Sequence, residues 1–571
     1  MPTYYTPLQS AAADAVANHA GVPNTELKVE SPPRPELGDL AVGCFAIAKA
    51  TQQNPAAVAQ KLASAFQPSE WLTSATAAGP FVNFRLNRPA AFKWLVEAAL
   101  RGTLQPHALG AGKTICIDYS SPNISKHLAF HHIRSTTIGH ALAQIFRALG
   151  YRVVGINFLG DWGTTHGMLL AAYSMWSAPE PLDVTALNDL YVKFRAAAKA
   201  DPKLEQVARE WFKKLEDGDP QARAWWQRFR DVSWAEFQAV YGLLGIEFDE
   251  VRGESAYEPD LPGVLAELAS KGLLTESEGA QVVELEGEKT PLLVKTKDGT
   301  TLYATRDIAA AKYRWEHYQF TRSLYVVDRG QSLHFRQLFK LLVKAGHDWA
   351  SRCEHVPFGL IRIAGKKTST RLGNVVLMRD VFKIAEDEVR GRIASGNPNL
   401  PANVIDEVAQ QVGIGAVVFM NLASQRDKDI DFDLDRATSL DGDSGPYLQY
   451  SHARCASIAR KAGERVTSIE GVDFGLLVHD AEWNVALRLL AFPDVVVRAA
   501  EASEPHVIAH YLLDLAGEFS RWYTLGNGDA SLRVIVDDPA LRRARLALTA
   551  AVQATLAKGL SLLGLAAPEQ M

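Results

Sequence analysis

Residues 115–158 read ICIDYSSPNISKHLAFHHIRSTTIGHALAQIFRALGYRVVGINF, and this stretch decides the fold. It opens with an apolar strand, Ile115 to Tyr119, which breaks at the turn Ser121-Pro122-Asn123. Beyond the turn, Ile138, Ala141, Leu142, Ile145, Phe146 and Leu149 share one helical face that Gly150 can cap, and the strand VVGINF follows at once. Strand, turn, helix, strand is the unit of a parallel doubly wound sheet, an α/β arrangement whose ligands bind beyond the carboxyl ends of the strands. The turn carrying Asn123 and Lys126 is therefore expected at the edge of a ligand site, where the free N–H groups of a helix N-terminus can hold phosphates.

Upstream, GDLAVGCFAIAKA and PAAVAQKLASAF both place apolar residues at helical spacing, and a short strand-like FVNFRLN and a helix from Pro89 follow. Residues 1–105 thus read as a compact α+β module, and RGTLQPHALGAGK, around residues 101–113, reads as a linker because it loses periodicity and gathers Gly and Pro. The sheet domain is expected over residues 112–450. A charged, Trp-rich helical insertion, at about 170–255, interrupts it before strands resume near Val282. Strand signals nearly vanish over residues 451–571, and Leu546, Ala550, Gln553, Leu556, Leu560 and Leu563 fall together on a last helix, so an all-α bundle closes the chain.

Composition narrows the class. A chain of 571 residues with 47% apolar side chains can bury the cores of three or four domains. It has no run of eighteen apolar residues and no basic-then-apolar start, so a cytoplasmic protein with no membrane partner is expected. Cys44, Cys116, Cys353 and Cys455 are too scattered for a disulfide framework or a CxxC-type metal site, and no metal site is expected. A net charge of −5 argues against indiscriminate coating of nucleic acid while leaving room for selective binding through local basic patches.

The segment SSPNISKHLAFHHIRST resembles the first signature of arginyl-tRNA synthetases, matching at Ser121, Pro122, Asn123, Ile124, Lys126, His132, Arg134, Ser135 and Thr136. It departs where the family's first signature histidine falls on Ala129 and the signature glycine on His131. Downstream, GKKTSTRLGNVVL resembles the second class I signature, with Lys367, Ser369 and Arg371 in place and Leu372 where the family often has lysine. In such enzymes the lysine before the first signature compensates, and Lys126 occupies that position. A compact ammonium suits a phosphate as a point charge.

GESAY and LYATRDIAAAKYR match the family's arginine-binding motifs and assign Glu254, Tyr303 and Asp307. A guanidinium presents a planar fork of donors that matches carboxylates, so Glu254 and Asp307 are expected to clamp it. Asp before an apolar helix is also a common N-cap, which is the alternative reading of Asp307. VVDRGQSLHF resembles the segment in which Gln331 helps bind arginine and His334 lies near the adenosine, although Asp328-Arg329-Gly330 departs from the usual small residues. INFLGDWGTTHG matches at Gly160 to Gly163, with Gly160 expected near ATP and Asp161 and Trp162 as architecture. DFDLDRATSLDGDSGPYLQYSHAR resembles the junction between catalytic domain and anticodon-binding bundle. Tyr447, Tyr450, Tyr523 and Met571 fall where the family contacts the anticodon loop, and Asn83 where it reads the tRNA elbow.

The resemblance runs from about residue 30 to Met571. It implies a class I synthetase with a Rossmann-type parallel sheet and helical insertion, an N-terminal tRNA-binding α+β module and a C-terminal all-α anticodon-binding bundle. The implied activity is ATP-dependent formation of arginyl-adenylate, with magnesium carried on the nucleotide, then transfer to tRNA(Arg), which is needed for activation. Lys126, His132, Lys367 and Arg371 are the catalytic candidates, His131 joins the ATP-binding set, and a monomer is expected. Two alternatives remain open at this stage: a tRNA-binding paralogue in which Ala129 marks lost catalysis, and a nucleotidyltransferase of the same fold acting on a small acid.

Overall fold

The computed structural model describes residues 5–20, 23–24, 27–176, 180–296, 303–363, 376–396 and 401–571. The N-terminal module packs α1 (Pro7–Ala20), α2 (Phe45–Thr51), α3 (Pro55–Ala65) and α4 (Arg88–Leu100) with a four-stranded antiparallel sheet. Its strands are β1 (Val29–Glu30), β2 (Leu40–Gly43), β3 (Leu72–Ala78) and β4 (Phe81–Leu86), ordered β1-β2-β4-β3. Here GDLAVGC departs from the expected helix: Leu40 to Gly43 pair with Phe84 to Phe81, and the helix starts only at Phe45. Four small apolar residues fit either period, and pairing with a neighbouring strand decides. Asp39 fastens the module at two ends, accepting from Leu86 N at 2.8 Å and from Trp483 Nε1 at 3.0 Å in the C-terminal bundle.

The central sheet holds β5 (Thr114–Asp118), β6 (Arg152–Asn157), β7 (Glu250–Val251), β11 (Arg322–Tyr325) and β12 (Cys353–His355). All are parallel, in the order β12-β11-β5-β6-β7. The chain builds outward from β5 to β7 on one side, then returns to place β11 on the other side of β5. That reversal opens a crevice beyond the carboxyl ends of β5 and β11. Ile115, Cys116 and Ile117 are fully buried, as expected of a central parallel strand covered on both faces. Helix α5 (Ile133–Ala148) links β5 to β6, and Gly150 ends it at φ +84°, where a Cβ would lie 1.8 Å from the His107 carbonyl oxygen.

The insertion is α6 (Thr164–Trp176), α7 (Val184–Ala200), α8 (Lys203–Glu216) and α9 (Pro220–Leu243). The strands expected to resume the sheet near Val282 do not join it. β8 (Thr275–Ser277), β9 (Ala280–Val283) and β10 (Leu292–Lys295) form a separate antiparallel ribbon, because tight connections favour hairpin pairing. The main sheet is extended by β7 and resumes at β11, after α10 (Leu261–Ser270) and α11 (Tyr303–Tyr318); α12 (Ser332–Lys344) then leads to β12.

β13 (Ile361–Ile363) pairs parallel with β14 (Ile430–Phe432), and between them run α13 (Met378–Gly396) and α14 (Ala402–Leu422). After the short α15 (Leu434–Ala437), the chain closes in α16 (Gly445–Ala462), α17 (Asp480–Ala502), α18 (His506–Gly528) and α19 (Pro539–Leu562). Of the expected stripe, Leu546, Leu556, Leu560 and Leu563 are buried, but Ala550 and Gln553 are only half-buried, and Ala551, Val552, Thr555 and Gly559 are buried in their place. The helix packs at once on α4, α5, α16, α17 and α18, so it is surrounded rather than amphipathic. None of the helices among the described residues is long and apolar enough to cross a membrane.

Candidate active site

The turn after β5 takes a left-handed backbone at Ser120, Ser121 and Ser125, with φ of 69°, 37° and 64°. L residues adopt this only where neighbours hold them. Ser135 Oγ accepts from Ser120 N at 2.9 Å and donates to the Val326 carbonyl at 2.6 Å. Ser120 Oγ lies 2.8 Å from both Thr136 Oγ1 and Tyr241 OH. Ser121 Oγ donates to Asp118 Oδ1 at 2.7 Å and accepts from Phe158 N at 3.0 Å. The other Asp118 oxygen receives Arg314 Nη2 at 2.7 Å in a buried ion pair. Serine hydroxyls thus lock the turn to α5, the insertion and the adjoining strands.

Asn123 forms an isolated bridge with Gly160, and a Cβ on Gly160 would lie 2.0 Å from Asn123 Oδ1. The glycine is what lets the two backbones meet. Asp161 is fully buried and accepts from Ser255 N and Oγ, each at 2.9 Å, and from Arg230 Nε at 3.2 Å. Trp162 packs edge-on against Phe212 and Trp226. Both residues are architecture.

Ala129 precedes a one-turn helix, Phe130–His132, that leads into α5. His132 Nδ1 lies 3.0 Å from the Ala129 carbonyl, and since a carbonyl only accepts, Nδ1 carries the hydrogen. The His131 ring lies tilted against His132, with centroids 4.2 Å apart and planes at 33°. Burial first, and the neighbouring His131 second, push His132 down to about 4, and burial also lowers His131 against the pull of Asp328.

The two expected guanidinium carboxylates are each held by a base of the protein. Glu254 Oε2 accepts from Arg306 Nε at 3.0 Å, and Asp307 Oδ2 lies 2.6 Å from His334 Nε2. Asp307 is therefore not a helix cap. Burial pushes Glu254 up to about 7 despite Arg306. Tyr303, 56% exposed, sets its ring edge-on to His334 at 4.7 Å. Asn123, His131, His132, Gly160, Glu254, Tyr303, Asp307 and Gln331 all line one cavity of about 450 Å³ at the crevice between β5 and β11.

Not every expected residue is in that cavity: His334 is buried against Asp307 and does not line it. Lys126 is exposed, with its ammonium 5.4 Å from the Tyr191 ring centroid on the insertion. Lys367, Ser369 and Arg371 lie outside the described residues.

A second cavity, of about 990 Å³, opens on the bundle and brings together Tyr450, Tyr523 and Met571. The Arg454 guanidinium lies 4.7 Å from the Tyr450 ring and 5.3 Å from the Tyr523 ring. Arg392, Arg460, Lys461 and Arg533 also line it. Tyr447 instead packs against the bundle core. Asn83 is 2% exposed at the centre of β4. Val82 and Phe84 lie in the module core, so strand alternation sends the Asn83 side chain to the opposite face of the sheet.

Three family profiles cover the chain in the order of these domains. "Arginyl tRNA synthetase N terminal domain" matches residues 6–86, "tRNA synthetases class I (R), catalytic domain" matches 95–434, and "DALR anticodon binding domain" matches 448–571. The chain belongs to the arginyl-tRNA synthetase family. The arginine–tRNA ligase of an Exiguobacterium species is 44% identical over 574 residues, covering 100% of both chains, and that of Clostridioides difficile is 41% identical over 552 residues, covering 96% of each. The Thermus thermophilus arginyl-tRNA synthetase superposes with a TM-score of 0.82 at 28% identity, over 99% of this chain and 100% of that one.

Set within this family, two structural residues of the site went unassigned in the sequence. Arg134, 1% exposed, donates to the Gly359, Asn421, Arg426 and Lys428 carbonyls and to Asn421 Oδ1, tying α5 to the segment after α14. Arg314 neutralises Asp118 and stacks near Phe158 and Tyr325. Arg134 was among the matches to the first signature but carried no role there, and Arg314 stands in the KYR of α11.

Proposed function

We propose that this chain is an arginine–tRNA ligase. It activates L-arginine with ATP to arginyl-adenylate and pyrophosphate, then passes arginine to the 3′ end of tRNA(Arg). The observation that carries the reading is the meeting of Glu254 and Asp307 with the His131-His132 turn in one cavity at the strand-order reversal. Relatives named arginine–tRNA ligase, at 39–44% identity over 95–100% of this chain, favour this over a catalytically impaired paralogue.

In this reading the substrate guanidinium sits between Glu254 and Asp307, with Tyr303, Gln331 and Asn123 completing the arginine pocket. ATP lies along Gly160 and His131, with His334 toward the adenosine. The arginine carboxylate attacks the α-phosphorus, an O–P bond forms, the bond to the pyrophosphate oxygen breaks, and pyrophosphate leaves. Positioning and charge neutralisation carry such a step. His132 serves it from the start of α5, and Lys126, Lys367, Ser369 and Arg371 supply further contacts and charge. Lys126 must leave Tyr191 to take part, a swing that its four-carbon stem permits. Magnesium is taken to arrive on the ATP phosphates.

The groove of Tyr450, Tyr523, Arg454 and Met571 is read as the anticodon site, with Tyr447 supporting it from the core. Stacking on aromatic faces is worth ~1–3 kcal/mol per base. We take residues 1–105, 112–450 and 451–571 as the tRNA-binding module, catalytic domain and anticodon-binding domain of a cytoplasmic monomer that needs tRNA before it activates arginine. Charging assays with each of the twenty amino acids test the reading: arginine alone should be esterified to tRNA(Arg), and equal charging with lysine would refute it.

A further inference from the structure

Arg306 is 7% exposed and reaches from the first turns of α11 to the one-turn segment carrying Glu254, where Nε donates to Oε2 at 3.0 Å. The next residue, Asp307, is held from α12 by His334 at 2.6 Å. Two carboxylates facing one cavity repel, and each is hydrogen-bonded by a basic side chain that does not line it. Resting on the reading of Glu254 as an arginine-binding residue, we infer that Arg306 is a positioning and specificity-determining residue. It keeps the Glu254 carboxylate charged and fixed in the pocket wall, so that only a substrate guanidinium completes its coordination.

The surrounding charges leave this role to Arg306. Asp307 and Asp161 act on Glu254 in the same direction as burial, toward the protonated acid. Asp161 is already engaged by Ser255 and Arg230. Glu216 and Glu258 feel Arg306 from the insertion and from the segment after Glu254, and His166 feels it from α6. His334 is bound to Asp307. Arg306 is the group that lowers Glu254, which nonetheless sits at about 7. Without it the carboxyl keeps its proton at neutral pH and becomes a neutral donor, which repels one N–H of the guanidinium fork.

The test is kcat/KM for arginine in tRNA charging by the full chain, at saturating ATP and tRNA, across about pH 6 to 9, because the acid limb of this quantity reports the enzyme form that arginine meets, with its pocket empty. The native limb should turn down below about 7. Arg306→Met should displace the limb upward by about one unit or more and lower kcat/KM at neutral pH by about tenfold, with the KM for ATP within about threefold. Arg306→Lys, which restores a charge, should bring the limb back to within about half a unit. A uniform loss at every pH in Arg306→Met, or an Arg306→Lys limb displaced as far as that of Arg306→Met, would overturn the inference and leave Arg306 a structural tie. Glu254→Gln separates the two levels. A native arginine KM in Glu254→Gln defeats the reading of the pocket; a raised KM there together with an unmoved Arg306→Met limb defeats the inference alone.

Discussion

His132 donates from Nδ1 to the carbonyl oxygen of Ala129 at 3.0 Å, so the position that lacks the family's first signature histidine still fixes the second one through its backbone. With Nδ1 occupied, Nε2 is bare in the neutral ring and can donate to a phosphate oxygen only after the ring gains a proton. In the protein alone burial holds His132 at about 4 and thus neutral at pH 7. ATP should raise it, so binding takes up a proton and weakens as pH rises from about 4 through the raised value of the bound state. Calorimetry in two buffers of different ionisation enthalpy should show that uptake in the native chain and its reduction in His132→Ala.

Glu254→Gln and Asp307→Asn each leave a partner charge and a guanidinium short of an anion. Loss of one partner of a buried pair costs about 3–5 kcal/mol, so kcat/KM for arginine should fall by roughly a hundredfold or more, with the KM for ATP little changed. Steady-state charging with arginine and ATP varied separately checks this.

Gly160→Ala puts a methyl group 2.0 Å from Asn123 Oδ1, and both residues belong to the cavity wall. The turn after β5 must shift, and displacing a positioning contact by about 1 Å can cost about a hundredfold. Charging should fall by about that factor while the melting temperature drops only modestly. Unchanged charging kinetics would show that the turn tolerates the shift.

Tyr450→Ala, Tyr523→Ala and Arg454→Met open the groove on the bundle. Each should weaken tRNA by ~1–3 kcal/mol, raising the KM for tRNA about five- to 150-fold with kcat nearly constant. Tyr447→Ala should instead lower stability, because that ring packs on the bundle core.

The central unit was legible because a parallel strand buried on both faces reads as an unbroken apolar run, and Ile115 to Ile117 are such a run. Leu40 to Gly43 were misread because four small apolar residues carry no period. Val282 was a strand as expected but in another sheet, and partner choice does not show in local pattern. Within the site, motif matches brought eight residues to one cavity. They did not show that Glu254 is held by Arg306 and Asp307 by His334, nor that Asn83 is buried, since these depend on contacts between segments far apart in the chain. The role of Arg134, matched in the signature, was not legible because a buried arginine is uncommon and its partners are mostly backbone carbonyls.

The most direct measurement is arginine-dependent exchange of pyrophosphate into ATP, with and without tRNA(Arg), in the native chain, Ala129→His and His132→Ala. Exchange should be robust in the native chain only with tRNA present, change little in Ala129→His, and fall about a hundredfold or more in His132→Ala. A native chain that exchanges no pyrophosphate until Ala129 is replaced by histidine would contradict a working synthetase.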